Sequence, residues 1–172
     1  SIQPAAGDAG TSLGSALYWY NCVRNTKKRK INYLSMADNI YSGPKFNDRQ
    51  ILREINKKNL KYKISDDIYN EVADLLKNHK IIGWFNGKME FGPRALGNRS
   101  IITSPFPKKM KDILNLRVKK RESFRPFAPA VLKEKANSYF DFVHDSPHML
   151  FAMNVKKNKI KSIPALSLIH IS

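Results

Sequence analysis

The stretch "GKMEFGPRALGNRS", from Gly87 to Ser100, combines turn residues, cations and apolar side chains. Its glycines, Gly87, Gly92 and Gly97, permit positive backbone dihedral angles, and Pro93 restricts a further turn. The pattern therefore predicts a rigid loop. The apolar run "IIGWF" comes just before it and predicts a β-strand. Loops that follow strands commonly gather ligands in α/β proteins, so this loop is a candidate binding site.

Two guanidinium groups lie on this predicted loop, at Arg94 and Arg99. Guanidinium groups are planar forks that match the oxygens of phosphate or carboxylate, so a rigid frame that carries two of them favours a shaped anion. The structural alternative is that Glu90 neutralises these cations in an internal ion pair. The sequence leaves both interpretations open.

A second basic motif, "VKKRESFRPFAPAV", runs from Val118 to Val131. Its cations include Lys119, Lys120, Arg121 and Arg125, and aromatic and proline residues flank them. An arginine in such surroundings is partly desolvated, which strengthens its attraction for an anion. The negative charge comes either from a ligand or from Glu122. Two such motifs in one chain favour a ligand site.

A third candidate site lies near the start of the chain, in "QPAAGDAGTSLGSAL". Gly7, Asp8 and Gly10 precede a predicted amphipathic helix, for which Thr11 is a candidate N-cap. A carboxylate and bare backbone amides at a helix N-terminus suit a phosphate with its metal ion. The alternative is that Asp8 merely caps the helix. Cys22 falls within the apolar part of this helix and is expected in the core.

The remaining pattern predicts an α/β chain with short helices. We expect a turn at Gly43–Pro44 and an extended segment, "FRPFAPAVL", near a sheet edge. Four helices are expected: 48–57, a helix that begins at Asp66 or Asp67 and ends at Lys80, 107–118, and 133–140. In the helix over 107–118, the apolar side is expected to consist of Met110, Ile113, Leu114 and Val118.

The composition of the chain narrows the classes of protein to which it could belong. Of the 172 residues, 42% are hydrophobic and 10% aromatic, which favours a folded protein over a disordered one. The formal charge of +17 favours anionic partners, although a lysine bias of the source genome would produce it equally well. A single cysteine and the lack of a long apolar run or signal peptide favour a cytoplasmic protein with no membrane partner. No phosphate-cradling "GxxxxGK[ST]", "GxGxxG" or nucleophile elbow occurs.

The two basic motifs closely resemble the carboxy-terminal domain of the NodU/CmcH-type O-carbamoyltransferases, from about Tyr41 to Ala165. The segment "QPAAGDAGTSLGSAL" is similar to the end of their amino-terminal, Kae1-like domain. One departure is Lys88, where the family usually has arginine. The resemblance implies a truncated YrdC-like α/β domain of twisted mixed sheet, preceded by the last helix of a Kae1-like domain.

For function, the resemblance implies that carbamoyl phosphate is activated with ATP as a carbamoyl-adenylate and that the carbamoyl group then passes to a hydroxyl of a small metabolite. By match to the family motifs, Arg94, Arg99, Lys119 and Arg125 are the catalytic candidates. Gly7, Asp8, Gly10, Arg94 and Arg125 are the nucleotide-binding candidates, and Asp8 is the candidate ligand of a divalent Fe or Mg ion. The rival hypothesis is a nucleic-acid-binding or tRNA-modification module related to YrdC. A structural domain with internally paired arginines is a third.

The expected organisation has four parts. Residues 1–24 are the remnant of the Kae1-like domain, 25–62 a connector, 63–165 the truncated YrdC-like domain, and 166–172, "LSLIHIS", an adapter-derived artefact. We accordingly expect the chain to be an inactive fragment of an active enzyme.

Overall fold

A computed structural model describes residues 4–24, 40–141 and 145–166. Most of the first half of the predicted connector and residues 167–172 of the predicted artefact lie outside this part. The chain forms two compact units, the first from residues 1–63 and 85–100 and the second from residues 64–84 and 101–172.

The first unit contains two helices, both near their predicted positions. Helix α1, Asp8–Tyr18, continues as a π-helix, Trp19–Val23. Helix α2, Asp48–Lys57, has the predicted bounds because its start is coded locally. The Asn47 side chain accepts a hydrogen bond from the Gln50 amide (2.9 Å), and the Gln50 side chain accepts one from the Asn47 amide (2.9 Å). This reciprocal capping box satisfies two of the amides that a helix start leaves unpaired.

Two predictions for helix α1 are wrong. The helix begins at Asp8, with Gly7 as its N-cap and no side-chain cap, so Thr11 lies inside the helix instead of capping it. Cys22 is exposed and not in the core. No residue of Asp8–Val23 is buried among the described residues, because nothing described covers the apolar side that its periodicity predicts.

The two described strands pair in an antiparallel sheet. Strand β1, Ile82–Phe85, confirms the predicted strand, and β2, Arg99–Ile102, follows the glycine-rich loop. The Asn86 amide donates to the Asn98 carbonyl (3.0 Å) and closes the base of the loop. The predicted "FRPFAPAVL" element forms no strand and joins no described sheet edge, because its two prolines remove backbone donors.

The second unit holds the remaining helices. Helix α3, Ile68–Lys77, is capped by Asp67 as predicted, since the Asp67 side chain accepts from the Asn70 amide (3.3 Å). It ends three residues before the predicted Lys80, because the chain turns at His79, which has a φ of 58°. Helix α4, Met110–Ile113, continues as a π-helix, Leu114–Lys119, and α5 spans Lys133–Tyr139. A short 3₁₀-helix, Ile160–Ser162, follows.

Two hydrophobic clusters form the core of the second unit. Met110 and Leu114 pack with Ala165, and the partly buried Phe127 lies against them. The other cluster consists of Phe140, Val155, Ile163 and Leu166. Val118, predicted on the same side as Leu114, is exposed, because the π-helical turn changes the residue spacing along the helix. Leu166, the first residue of the predicted artefact, is buried.

Candidate anion-binding site

The loop Gly87–Ser100 is closed around one buried carboxylate. Glu90 is 5% exposed, and its Oε1 accepts from the amides of Leu96 (2.7 Å), Asn98 (2.7 Å) and Arg99 (3.3 Å). The Arg99 Nε donates to the second oxygen, Oε2, at 2.8 Å. Both oxygens are thus satisfied within the loop, which holds its two halves together.

These hydrogen bonds favour the ionised form of Glu90. Burial alone raises the pKa of this carboxyl, but the hydrogen bonds from Arg99 and from the amides of Leu96 and Asn98 outweigh burial and lower the pKa to about 2. Arg99, whose side chain is 30% exposed, also donates to the Glu90 carbonyl (3.3 Å). The geometry therefore favours the structural interpretation for Arg99.

The backbone of the loop has the predicted conformation. Gly87, Gly92 and Gly97 have φ angles of 67°, 98° and 112°, which confirms that all three occupy the positive region. Gly92 is also crowded, since a Cβ added there would lie 3.0 Å from the Cβ of Ala5. The loop thus packs against the segment that leads to Gly7, one of the predicted nucleotide-binding residues.

The segment from 40 to 44 supports the same loop. The Gly43 amide donates to the Met89 carbonyl (2.9 Å), and the Met89 amide donates to the Pro44 carbonyl (3.0 Å). The predicted turn at Gly43–Pro44 is accordingly a bend at Gly43 within a segment that pairs with the loop. Beyond it, the Tyr41 hydroxyl donates to the Leu96 carbonyl (2.9 Å).

Arg94 differs from Arg99 although both stand on the same loop. Its side chain is exposed, and it forms no ion pair or hydrogen bond with any residue that the structure describes. The loop that carries it is fixed by Glu90 and by the side chain of Asn98, whose Nδ2 donates to the Lys88 carbonyl (2.7 Å). Arg94 therefore presents an uncompensated positive charge on a supported backbone.

The second motif is organised by a residue that the sequence analysis missed. Asn115 is fully buried, and its Nδ2 donates to the carbonyls of Ser123 (3.2 Å) and Arg125 (2.9 Å). Its Oδ1 accepts from the Arg121 Nε at 2.7 Å, and its backbone carbonyl accepts from the Arg121 amide at 2.9 Å. One buried side chain thus fixes the loop that follows the π-helix.

Arg121 is the best-supported cation of this motif. Its guanidinium lies over the Phe127 ring, 4.8 Å from the ring centroid, in addition to its bond to Asn115. Its terminal nitrogens form no hydrogen bond with described residues. Nothing local in "LNLRVKKRES" predicts this arrangement, because it requires the π-helix to bring Asn115 beneath the loop.

The predicted residues Lys119 and Arg125 have different surroundings. The Arg125 Nε pairs with Glu122 Oε2 at 2.9 Å, both side chains being about half exposed. The pKa of Glu122 is lowered by a hydrogen bond from its own backbone and then by the charge of Arg125, with a smaller effect of Arg121. Lys119, the last residue of the π-helix, is exposed and has no ion-pair partner among the described residues.

Gly7, Asp8 and Gly10 lie at the start of α1 in the first unit, where Asp8 is the first helical residue. An acidic residue there interacts favourably with the positive end of the helix. Within the described ranges, no three His, Cys, Asp or Glu residues come together as a metal site. Asp8 offers one carboxylate of the kind that hard cations prefer, which is too few ligands for a site by itself.

The chain belongs to the carbamoyltransferase C-terminus family, whose model matches residues 73–172. It is 42% identical over 161 residues to an uncharacterised protein of Synechocystis, covering 91% of this chain and 26% of that protein. It is 40% identical to the nodulation protein NolO of Bradyrhizobium diazoefficiens (96% of this chain, 30% of the relative) and 32% identical to nodulation protein U of Rhizobium fredii (96% and 26%). The chain thus spans between a quarter and a third of these relatives.

No helix in the described part of the chain is long and apolar enough to cross a membrane.

Proposed function

We propose that the full-length protein containing this chain is an O-carbamoyltransferase. In the proposed reaction, carbamoyl phosphate is activated with ATP to a carbamoyl-adenylate, pyrophosphate is released, and the carbamoyl group passes to a hydroxyl of a small metabolite. Membership of the carbamoyltransferase C-terminus family supports this reaction class. ATP and carbamoyl phosphate are cytoplasmic metabolites, and a single cysteine suits that compartment.

The observation that carries the proposal is the contrast between paired and unpaired cations. Glu90 holds Arg99 inside its loop. Arg121 is held without a bonded carboxylate, and Arg94 stands on a fixed backbone with no carboxylate partner among the described residues. A fixed, uncompensated guanidinium attracts a phosphate and needs no reorganisation when charge develops during transfer. We therefore assign an anion contact to Arg94 within the first unit and, separately, anion contacts to Lys119 and Arg121 within the second. Arg99 is assigned to the support of its loop.

Arg125 and the residues at the start of α1 have secondary roles in this proposal. The predicted contact of Arg125 to the nucleotide requires that the ion pair between Arg125 and Glu122 opens. An exposed ion pair contributes little to stability, so its opening costs little free energy. Gly7 and Gly10 are proposed to lie near nucleotide phosphate. Asp8 would need ligands from other residues to hold Fe or Mg.

The YrdC-like and Kae1-like assignments are part of the same proposal. Residues 63–165 are proposed as a truncated YrdC-like domain and residues 1–24 as the tail of a Kae1-like domain, with 25–62 between them. The threefold to fourfold greater length of the relatives supports the idea that further domains complete the enzyme. The acceptor-binding residues are then expected outside this chain.

The first test replaces Arg94 by alanine in the full-length protein and measures carbamoyl-phosphate-dependent release of pyrophosphate from ATP. We expect kcat/KM to fall by about a hundredfold, since a lost charge contact to a reacting group typically costs that much, while the unfolding midpoint stays the same. Arg53→Ala is the matched control, because Arg53 is an exposed arginine of α2 in the same unit. Unchanged release in Arg94→Ala would contradict the assignment.

The same protein also distinguishes the rival function. A nucleic-acid-binding module would spread its phosphate contacts over many lysines, so its affinity for tRNA would fall steeply with salt and would respond little to any single substitution. Tight, salt-sensitive binding of tRNA without release of pyrophosphate would favour that rival. We expect the opposite, with the effect concentrated in a few arginines.

A further inference from the structure

The guanidinium groups of the two basic motifs are held by chemically different partners. Arg99 bonds to the carboxylate of Glu90 (2.8 Å) and Arg125 to that of Glu122 (2.9 Å). Arg121 instead bonds to the amide oxygen of Asn115 (2.7 Å). A carboxylate cancels most of the charge that it orients, whereas a carboxamide orients the guanidinium and leaves its charge available.

The second support of Arg121 is also uncharged. Its guanidinium lies 4.8 Å from the centroid of Phe127, a ring that packs against the Met110–Leu114 cluster. The aromatic face stabilises a cation and limits its movement without forming an ion pair. Glu122, the carboxylate next to Arg121 in the chain, pairs with Arg125 instead.

Asn115 also determines where the rest of the loop lies. Its Nδ2 donates to the carbonyls of Ser123 and Arg125, and both bonds are shielded from solvent because the side chain is fully buried. A buried side-chain amide with all of these bonds made is difficult to replace, since each lost partner leaves an unsatisfied polar group. Orientation of Arg121 and placement of the loop thus depend on the same residue.

We propose that Asn115 is a positioning residue for anion binding, which orients Arg121 through its neutral amide oxygen and fixes the 119–125 loop through its amide nitrogen. This inference rests on the proposed function insofar as the anion is carbamoyl phosphate. The neutrality of Asn115 is the essential property, because an acidic residue of the same size would hold Arg121 equally well and cancel its charge.

The decisive variant is therefore Asn115→Asp in the full-length protein. The aspartate retains the acceptor for the Arg121 Nε and nearly the same volume, but it adds a negative charge and removes the donors to Ser123 and Arg125. We expect the KM for carbamoyl phosphate to rise about ten- to a hundredfold, with a much smaller change in the KM for the hydroxyl acceptor. An unchanged KM for carbamoyl phosphate would overturn the proposal.

A second pair of variants separates positioning from mere stability. Asn115→Leu removes every side-chain bond, and Val155→Ala or Ile163→Ala weakens the other hydrophobic cluster of the same unit. Of these two alanine variants, the control is the one whose unfolding midpoint is closest to that of Asn115→Leu. We expect only Asn115→Leu to raise the KM and to accelerate amide exchange in 119–125. Equal effects in the control would overturn the proposal.

A double-mutant cycle tests whether Asn115 acts through Arg121. Arg121→Lys keeps the charge but loses the Nε donor, so we expect it to raise the KM by itself and to reduce the effect of Asn115→Asp to the part that comes from the lost donors to Ser123 and Arg125. Fully additive effects would contradict action through Arg121. If the wild-type protein releases no pyrophosphate, the proposed function fails. In that case, titration calorimetry with inorganic phosphate tests the inference. The affinity for phosphate must fall in Asn115→Asp and stay the same in the control.

Discussion

At the scale of single residues, Glu90 shows how one buried carboxylate replaces a ligand as the partner of an arginine. Its two oxygens receive bonds from three amides and one guanidinium, and these bonds close the loop around it. The two arginines of this loop therefore have different roles. Arg99 supports the backbone and Arg94 faces solvent.

Glu90 also predicts how the protein responds to acid. Its pKa falls from 4.5 to about 2 on folding, so its stabilising contribution is complete above pH 4.5 and is lost as the pH falls through 2. We expect the free energy of unfolding of the wild-type protein to fall by about 2–3 kcal/mol over this window on account of Glu90. Urea denaturation between pH 2 and pH 7 measures this loss.

The comparison protein for this measurement is Glu90→Gln, which lacks the titrating group. Above pH 5 the variant should be less stable than the wild type, because an amide cannot accept the same set of bonds or neutralise Arg99. The difference between the two proteins should shrink towards pH 2. A constant difference across the whole range would show that Glu90 does not titrate with a lowered pKa.

At the scale of elements, the most accurate predictions are those with local causes. Helix α2 has the predicted bounds because Asn47 and Gln50 close a capping box, and α3 begins at Asp67 for the same kind of reason. The predicted positive φ angles of the glycines are confirmed because they depend on the backbone of a single residue. Predictions of burial were less accurate. Cys22 and Val118 are both exposed, since burial depends on partners that are distant in sequence.

The capping box of α2 gives a direct test at this scale. Asn47→Ala removes the acceptor for the Gln50 amide, and we expect a loss of about 1 kcal/mol in the free energy of unfolding. Asn56→Ala is the matched control, because Asn56 lies inside the same helix, where alanine is the better helix former. Urea denaturation of both variants measures the difference. Equal losses would show that the cap contributes nothing.

The candidate site also shows that contacts between residues distant in sequence are difficult to predict. The type of site was predictable, since turn residues and arginines occur together in both motifs. The role of each arginine was not, because it depends on whether the nearest partner is Glu90, Glu122 or the buried amide of Asn115. Asn115 stands in a helical stretch with apolar neighbours, and only the folded π-helix brings it beneath the loop.

At the scale of the whole molecule, the chain carries a charge of +17 and leaves many large apolar side chains exposed. In the second unit, a cavity of about 300 Å³ opens beside the Phe140 cluster, with Phe106, Leu132 and Tyr139 among its lining residues. Exposed apolar surface of this kind favours association with other protein surfaces. It agrees with the proposal that the active enzyme is several times longer than this chain.

We accordingly expect the isolated 172-residue polypeptide to be inactive, whereas the full-length protein releases pyrophosphate from ATP when carbamoyl phosphate is present. The physical reason is that, in the proposed division of the enzyme, other domains supply the acceptor site and the further ligands that an ion at Asp8 would need. Parallel assays of the two proteins at equal molar concentration check this. Carbamoyl transfer by the short polypeptide would contradict the proposed division of the enzyme.

The close approach of Gly92 to Ala5 has a consequence for protein engineering. Because a methyl group added at Gly92 would meet the methyl of Ala5 at 3.0 Å, neither position has room to grow unless the other gives way. Chimeras that exchange the amino-terminal segment between homologous enzymes must keep a small side chain at both places. The two segments are best transplanted together as one cassette.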